Sequence, residues 1–289
     1  MPELPEVEVT RQGLLPSLPG CRIRKIARSS KRLRAEVSRQ LLQRHLLDAT
    51  IKTIDRRAKY LLFRLTSGAT LVIHLGMSGK LSLVPATAPR ARHDHLRLSL
   101  DTDMELRFND ARRFGSILLW PAAEAPQQEK AFAAQLGVEP LGPDLSAAYL
   151  LAQGRSRTQA VKTLLMDSRI IVGIGNIYAN EILFAAGLHP LTPADRVSPA
   201  QWQTIAAASR RILRAAIRAG GSTIADFLGA SGHPGYFQLQ FTVYKRQGQK
   251  CRKCRQTIVR TTVGGRATYF CPGCQPRFRE LSESQTLRF

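Results

Sequence analysis

Apolar and polar residues alternate with different periods along this chain, and the changes of period mark its parts. Over residues 5–18, Val7, Leu14 and Leu15 fall on one face of a helix, and Pro5 suits a first turn where a missing N–H costs nothing. From 51 to 120 the pattern shortens. TIDRRAKYLLFRL, TLVIHL, KLSLV, HLRLSL, MELRF and SILLW are strand-like runs, several of them divided by turn signals such as TSG, MSG and DTD. This predicts an antiparallel sandwich or barrel with the opening helix packed on it. Residues 121–145, rich in Ala, Pro and Gln, read as a hinge between domains.

Beyond the hinge the pattern turns helical. In SPAQWQTIAAASRRILRAAIRAGG, Ser198 suits the N-cap, Pro199 the first position, and Gln201 closes a capping box. Trp202, Ile205, Ile212, Leu213 and Ile217 face inward, and Gly220 and Gly221 can stop the helix. No internal repeat or low-complexity segment interrupts the chain.

Charge narrows the partners. The 289 residues carry 43 Lys+Arg against 21 Asp+Glu, a net +22, which favours a polyanion but does not separate DNA from RNA or anionic lipid. A hydrophobic content of 44% predicts a real core. With no apolar run near the ~18 residues of a membrane span and no secretory signal pattern, a cytoplasmic protein is expected.

Cys251-x2-Cys254 and Cys271-x2-Cys274, sixteen residues apart, have the spacing of two zinc knuckles supplying four thiolates. Cys21 stands apart and reads as a small core residue. Between the knuckles, Gly264-Gly265 suits a two-residue hairpin turn and puts Arg266 at the tip of a zinc-clamped finger. The run Val172-Gly173-Ile174-Gly175-Asn176 precedes a helical pattern, with Asn176 expected as N-cap and the helix start suited to an anion.

The terminus MPELPEVEVT admits two readings. Glu3 and Glu6 can simply complement a helix dipole. Alternatively, removal of Met1 exposes the secondary amine of Pro2, a better neutral-pH nucleophile than lysine because an α-amino group titrates near ~8 rather than ~10.4. Such an amine can attack a sugar aldehyde carbon to give a Schiff base, with Glu3 as proton donor.

PELPEVE, RRAKYL (56–61), HLGMSG (74–79), DARRFG (110–115), GIGNIYANE (173–181), GGST (220–223) and the terminal GRATYFCPGC closely resemble the bacterial formamidopyrimidine-DNA glycosylase family, from residue 2 to about 275. The resemblance implies a multidomain α+β fold: a β-sandwich domain with a flanking helix over 1–125, a hinge over 126–145, a helix–two-turn–helix domain over 146–240 and a zinc-finger β-hairpin over 241–276. A flexible tail would follow over 277–289. It implies a monomeric enzyme acting on damaged duplex DNA in the bacterial cytoplasm and nucleoid, with one structural zinc and no membrane partner. Pro2 would be the Schiff-base nucleophile, Glu3 the general acid, Lys59 the residue of β-elimination and Arg266 that of δ-elimination. His74, His93, Arg112, Arg157 and Asn176 would bind DNA. Met77, Arg112 and Phe114 would fill the gap left by a flipped-out base.

Ala111 stands where the family usually has proline, a change expected to loosen the loop carrying Arg112 without removing its side chain. Two rivals remain at this point: an endonuclease VIII-like glycosylase for oxidised pyrimidines, and a non-catalytic zinc-containing DNA-binding protein.

Overall fold

The structure, a computed structural model, describes residues 2–35, 37–222 and 240–277. Met1, Thr223 of GGST and the expected tail from 278 onward lie outside the described residues. The chain forms two compact units, Met1–Glu139 with Leu213–Gln240, and Pro140–Ile212 with Phe241–Phe289.

In the first unit, α1 (Leu4–Leu14) is shorter than the periodicity over 5–18 suggests. Pro16 has no N–H to give the Gln12 carbonyl, so the ladder stops there. Next come β1 (Ile23–Arg28), α2 (Arg39–Leu46), β2 (Ile51–Arg57), β3 (Tyr60–Leu65), β4 (Thr70–His74), β5 (Lys80–Pro85), β6 (Asp94–Leu100), β7 (Met104–Asn109) and β8 (Ser116–Trp120). Two four-stranded antiparallel sheets result, in the orders β1-β6-β7-β5 and β2-β3-β4-β8. Ile26, Leu98 and Phe108 of one sheet and Ile54, Phe63 and Ile73 of the other share a single buried cluster with Val7 and Leu14 of α1. The run TIDRRAKYLLFRL is not one strand but the β2–β3 hairpin, broken where Ala58 takes φ +55°.

Part of the segment expected as a hinge is helical: α3 (Ala125–Ala134) lays Ala125 and Phe132 against Leu62, Val72 and Trp120 on the outer face of the second sheet. Burial of that sheet on both faces explains why YLLFRL is almost continuously apolar.

The second unit contains α4 (Ala147–Gly154), α5 (Val161–Leu165) and α6 (Asn176–Ala185), and the chain then forms α7 (Pro199–Arg218). Ser198 and Gln201 make the expected reciprocal cap at 3.3 and 2.9 Å, and Gly220 and Gly221 leave the helix with positive φ. The hairpin of β9 (Val259–Val263) and β10 (Arg266–Phe270) turns through Gly264 (φ +56°) and Gly265 (φ +70°), both left-handed as a tight primed turn requires. Its base packs on Phe184 of α6 through Val243, Ile258, Cys251 and Cys271.

Candidate active site and nucleic-acid interface

The first turn of α1 is buried rather than frayed. Pro2 is buried, and Glu3 and Glu6 are only 2% and 0% exposed. Glu3 is the N-cap, and its amide donates to Glu6 Oε2 at 2.8 Å, one arm of a capping box between the two glutamates. The other Glu6 oxygen accepts from Ser222 N (2.9 Å) and Ser222 Oγ (2.8 Å). Glu6 therefore does more than complement a helix dipole. It fixes the terminus against the residue that follows Gly220-Gly221.

Lys59 lies at the tip of the β2–β3 hairpin, and the residues around it are clamped. Glu139 accepts from Ala58 N (2.7 Å), Arg56 (2.9 Å) and Arg57 (3.1 Å), while Arg56 also donates to Glu8 of α1 at 2.9 Å. Burial works to raise the Glu8 pKa, but the guanidinium groups of Arg11 and Arg56 hold it below the usual range. An ionic chain Glu8–Arg56–Glu139 thus joins the helix bearing Pro2 and Glu3 to the turn bearing Lys59.

His74 pairs with Tyr60 across β3 and β4, one residue along from Lys59. Its Nδ1 accepts from Gly76 N at 3.0 Å, which leaves the proton of the neutral ring on Nε2. Burial, then the charges of Lys59 and Arg34, push this imidazole down to about 4, with Asp110 opposing.

Met77 sits in the β4–β5 turn, and Arg112 and Phe114 in the β7–β8 loop, where the Arg112 guanidinium lies 5.0 Å over the Phe114 ring. The two loops meet at Asp110, which is fully buried. The His93 carbonyl accepts from Asp110 N at 3.0 Å, so His93 adjoins the same loop.

In the second unit, Arg157 lines an open pocket of about 460 Å³ with Ser156, Thr158, Asp167 and Arg169. Asn176 is the first residue of α6 and not its N-cap, which is Gly175. The Asn176 side chain turns instead toward the finger: Nδ2 donates to the Ala267 carbonyl at 2.9 Å, and Oδ1 accepts from Lys162 Nζ at 2.7 Å. Lys162 is 1% exposed and also donates to Thr268 Oγ1 (2.6 Å) and the Ala267 carbonyl (3.2 Å). Exposed Arg266 immediately precedes these anchored residues.

The four cysteine sulfurs lie within 4.8 Å of one another, with Sγ···Sγ distances of 3.8 Å for Cys251–Cys274 and 3.3 Å for Cys254–Cys271. Tetrahedral zinc with Zn–S near 2.3 Å needs sulfurs about 3.8 Å apart, so the donor set fits the metal. Zinc held by four thiolates has no position left for water, and its contribution is structural.

Three family models match the chain: Formamidopyrimidine-DNA glycosylase N-terminal domain over residues 1–117, Formamidopyrimidine-DNA glycosylase H2TH domain over 136–227, and Zinc finger found in FPG and IleRS over 248–277. A formamidopyrimidine-DNA glycosylase of Xanthomonas campestris is 46% identical over 275 residues, covering 95% of this chain and 100% of its own. One from Magnetococcus marinus is 42% identical over 275 residues, covering 95% and 99%. The chain belongs to the formamidopyrimidine-DNA glycosylase family.

Solved members of this family share the fold. A Lactococcus lactis FPG mutant in complex with Fapy-dG containing DNA superposes with a TM-score of 0.88 at 32% identity, covering 96% of this chain and 100% of that one. The Lactococcus lactis Fpg with an abasic site containing DNA gives 0.87 at 32% identity, covering 95% and 100%. As a member of this family the chain is an enzyme, and the finger match together with the cysteine cluster indicates one structural zinc. Among the described residues no helix is long and apolar enough to cross a membrane.

Two residues that shape this candidate site carry no local signal. Lys162 and Glu139 act through partners 14 to 106 positions away, and no quoted motif contains them, whereas Ser78 and Asp110 fall inside HLGMSG and DARRFG but meet each other across 32 positions.

Proposed function

We propose that this chain excises oxidised purines, 8-oxoguanine and formamidopyrimidines, from damaged duplex DNA and then cleaves the strand by β,δ-elimination. The supporting observation is the buried pair at the terminus: Pro2 beside Glu3, in a capping box closed by Glu6. With Met1 removed, the Pro2 lone pair attacks C1′, the glycosidic electron pair leaves with the base, and the N–H proton of the attacking amine passes to the departing base. Glu3 gives its proton to the sugar ring oxygen as the ring opens to the iminium. Lys59 serves the β-elimination that expels the 3′ phosphate, and Arg266 the δ-elimination that expels the 5′ phosphate.

His74, His93, Arg157 and Asn176 bind the backbone, and Met77, Arg112 and Phe114 fill the gap left by the flipped base. Arg112 donates hydrogen bonds to the base opposite the lesion. In this reading residues 1–125 are the catalytic domain, 146–240 and 241–276 hold the duplex, and 126–145 connect them. A cytoplasmic, nucleoid-associated location goes with that substrate.

Intact protein with a free Pro2 should give a borohydride-trapped adduct on a lesion duplex, and protein blocked by retained Met1 should bind the duplex yet neither trap nor release base. Full excision by homogeneous blocked protein would exclude Pro2 as the nucleophile. A second reading, in which oxidised pyrimidines are also substrates, draws on the Lactococcus lactis FPG complexed with an oxidized pyrimidine containing DNA. Competition between the two lesion types in duplex DNA ranks them.

A further inference from the structure

Among the described residues four large apolar side chains are exposed, and two of them, Met77 (37%) and Phe114 (47%), stand on neighbouring loops. The two loops that present them share one support. The support is polar and buried. Asp110 Oδ1 accepts from Ser78 Oγ at 2.6 Å and from Arg112 N at 3.3 Å, and its Oδ2 accepts from Gly115 N at 2.8 Å. Ser78 Oγ, placed next to Met77, accepts from Arg112 N at 3.1 Å.

The backbones themselves touch: a Cβ on Gly76 would lie 2.3 Å from Gly115 N and 2.4 Å from the Phe114 carbonyl carbon. Behind Asp110, its carbonyl meets His95 Nε2 at 2.9 Å, and His95 Nδ1 meets Ser29 Oγ at 2.9 Å. Because a carbonyl only accepts, Nε2 carries the proton, and the chain runs Ser29–His95–Asp110 into the loops. Arg113, in the left-handed region at φ +57°, completes the loop between these ties.

We propose that Asp110, acting through Ser78, is a positioning residue that makes the Met77 turn and the Arg112–Phe114 loop one rigid reader. Inserting the wedge and reading the opposite base are then a single event. The inference rests on the gap-filling role assigned above to Met77, Arg112 and Phe114. Two independent loops would each be ordered separately on DNA, at a conformational cost that folding has already met in the joined pair. In a joined reader, a base that displaces Arg112 also withdraws Met77. The penalty for the wrong opposite base is therefore larger than the loss of Arg112 hydrogen bonds alone.

The test compares single-turnover excision from duplexes with the lesion opposite C and opposite A, for the parent, Ser78→Ala, Ser78→Thr, Asp110→Asn and Arg112→Ala. Ser78→Ala should lower the C-over-A ratio roughly tenfold, the worth of a hydrogen bond to a charged group, although both reading side chains remain. Ser78→Thr, which keeps the hydroxyl, should retain the ratio. Asp110→Asn, which offers one acceptor oxygen in place of two, should lower it as well. A merely stabilising link would slow both duplexes equally. An unchanged ratio in Ser78→Ala and Asp110→Asn, with the ratio lowered in Arg112→Ala, overturns the joined reader and leaves the gap-filling role standing. An unchanged ratio in Arg112→Ala overturns that role and the joined reader with it.

Discussion

Lys162 Nζ lies 2.7 Å from Asn176 Oδ1, inside the second unit, and the same ammonium holds the Ala267 carbonyl and Thr268 Oγ1 of β10. One buried cation thereby fixes the start of α6 against the strand that begins with Arg266. Replacing Lys162 by Met preserves much of the volume and removes every one of these donors. We expect a loss of about 2 to 3 kcal/mol in stability and weaker binding of lesion duplex, with zinc content unchanged. Thermal denaturation, metal analysis and a binding titration check this; unchanged stability and affinity would mean the ammonium holds nothing that matters.

The four-thiolate site predicts a different failure. Cys254→Ser should abolish binding of lesion DNA by loosening the knuckles at the base of the hairpin that carries Arg266. Intact binding with impaired strand cleavage alone would be incompatible with a purely structural metal.

His74 makes stability depend on acidity. The unfolded chain takes up this proton near the ordinary imidazole value of about 6.5, the folded chain only at about 4. Between those values the unfolded state binds more protons, so stability rises with pH, is complete above 6.5, and is progressively lost as pH falls toward 4. The contribution is on the order of 3 kcal/mol. His74→Gln should flatten the parent's pH dependence of denaturation in that window, and equal slopes in the two proteins would place the loss on other groups.

What the sequence makes legible here is local chemistry. The Ser198–Gln201 cap and the Gly264-Gly265 turn are built from residues within a few positions of each other, and both form as their composition dictates. The cysteine pairs are legible for the same reason, since each knuckle is a fixed short spacing. Elements chosen by distant partners are not. Helix α3 lies in a stretch whose composition suggests a linker, and it packs against Trp120 and Leu62. Asn176 has the chemistry of an N-cap, yet its side chain is claimed by Lys162 and Ala267, and the cap falls to Gly175. The β2–β3 turn is hidden because Ala58, a residue with no turn preference, is held at positive φ by a hairpin whose amide and arginines bond to Glu139. Ala111 lacks the stiffness of proline, but the loop it occupies is tied down by the Asp110 carboxylate one residue earlier.

Glu181 of α6, only 5% exposed, accepts from Val243 N at 3.0 Å, Tyr244 N at 2.9 Å, Thr242 N at 2.9 Å and the Thr242 hydroxyl. These donors lie on the approach to the first cysteine, upstream of every thiolate. The finger is moored by a carboxylate at its root, by the Lys162 ammonium and the Asn176 amide along β10, and by metal at the knuckles between. Demetallation would slip only the last of these. The root would stay berthed on α6, so that recharging with zinc becomes a short local re-zipping in place of a search for the docking site.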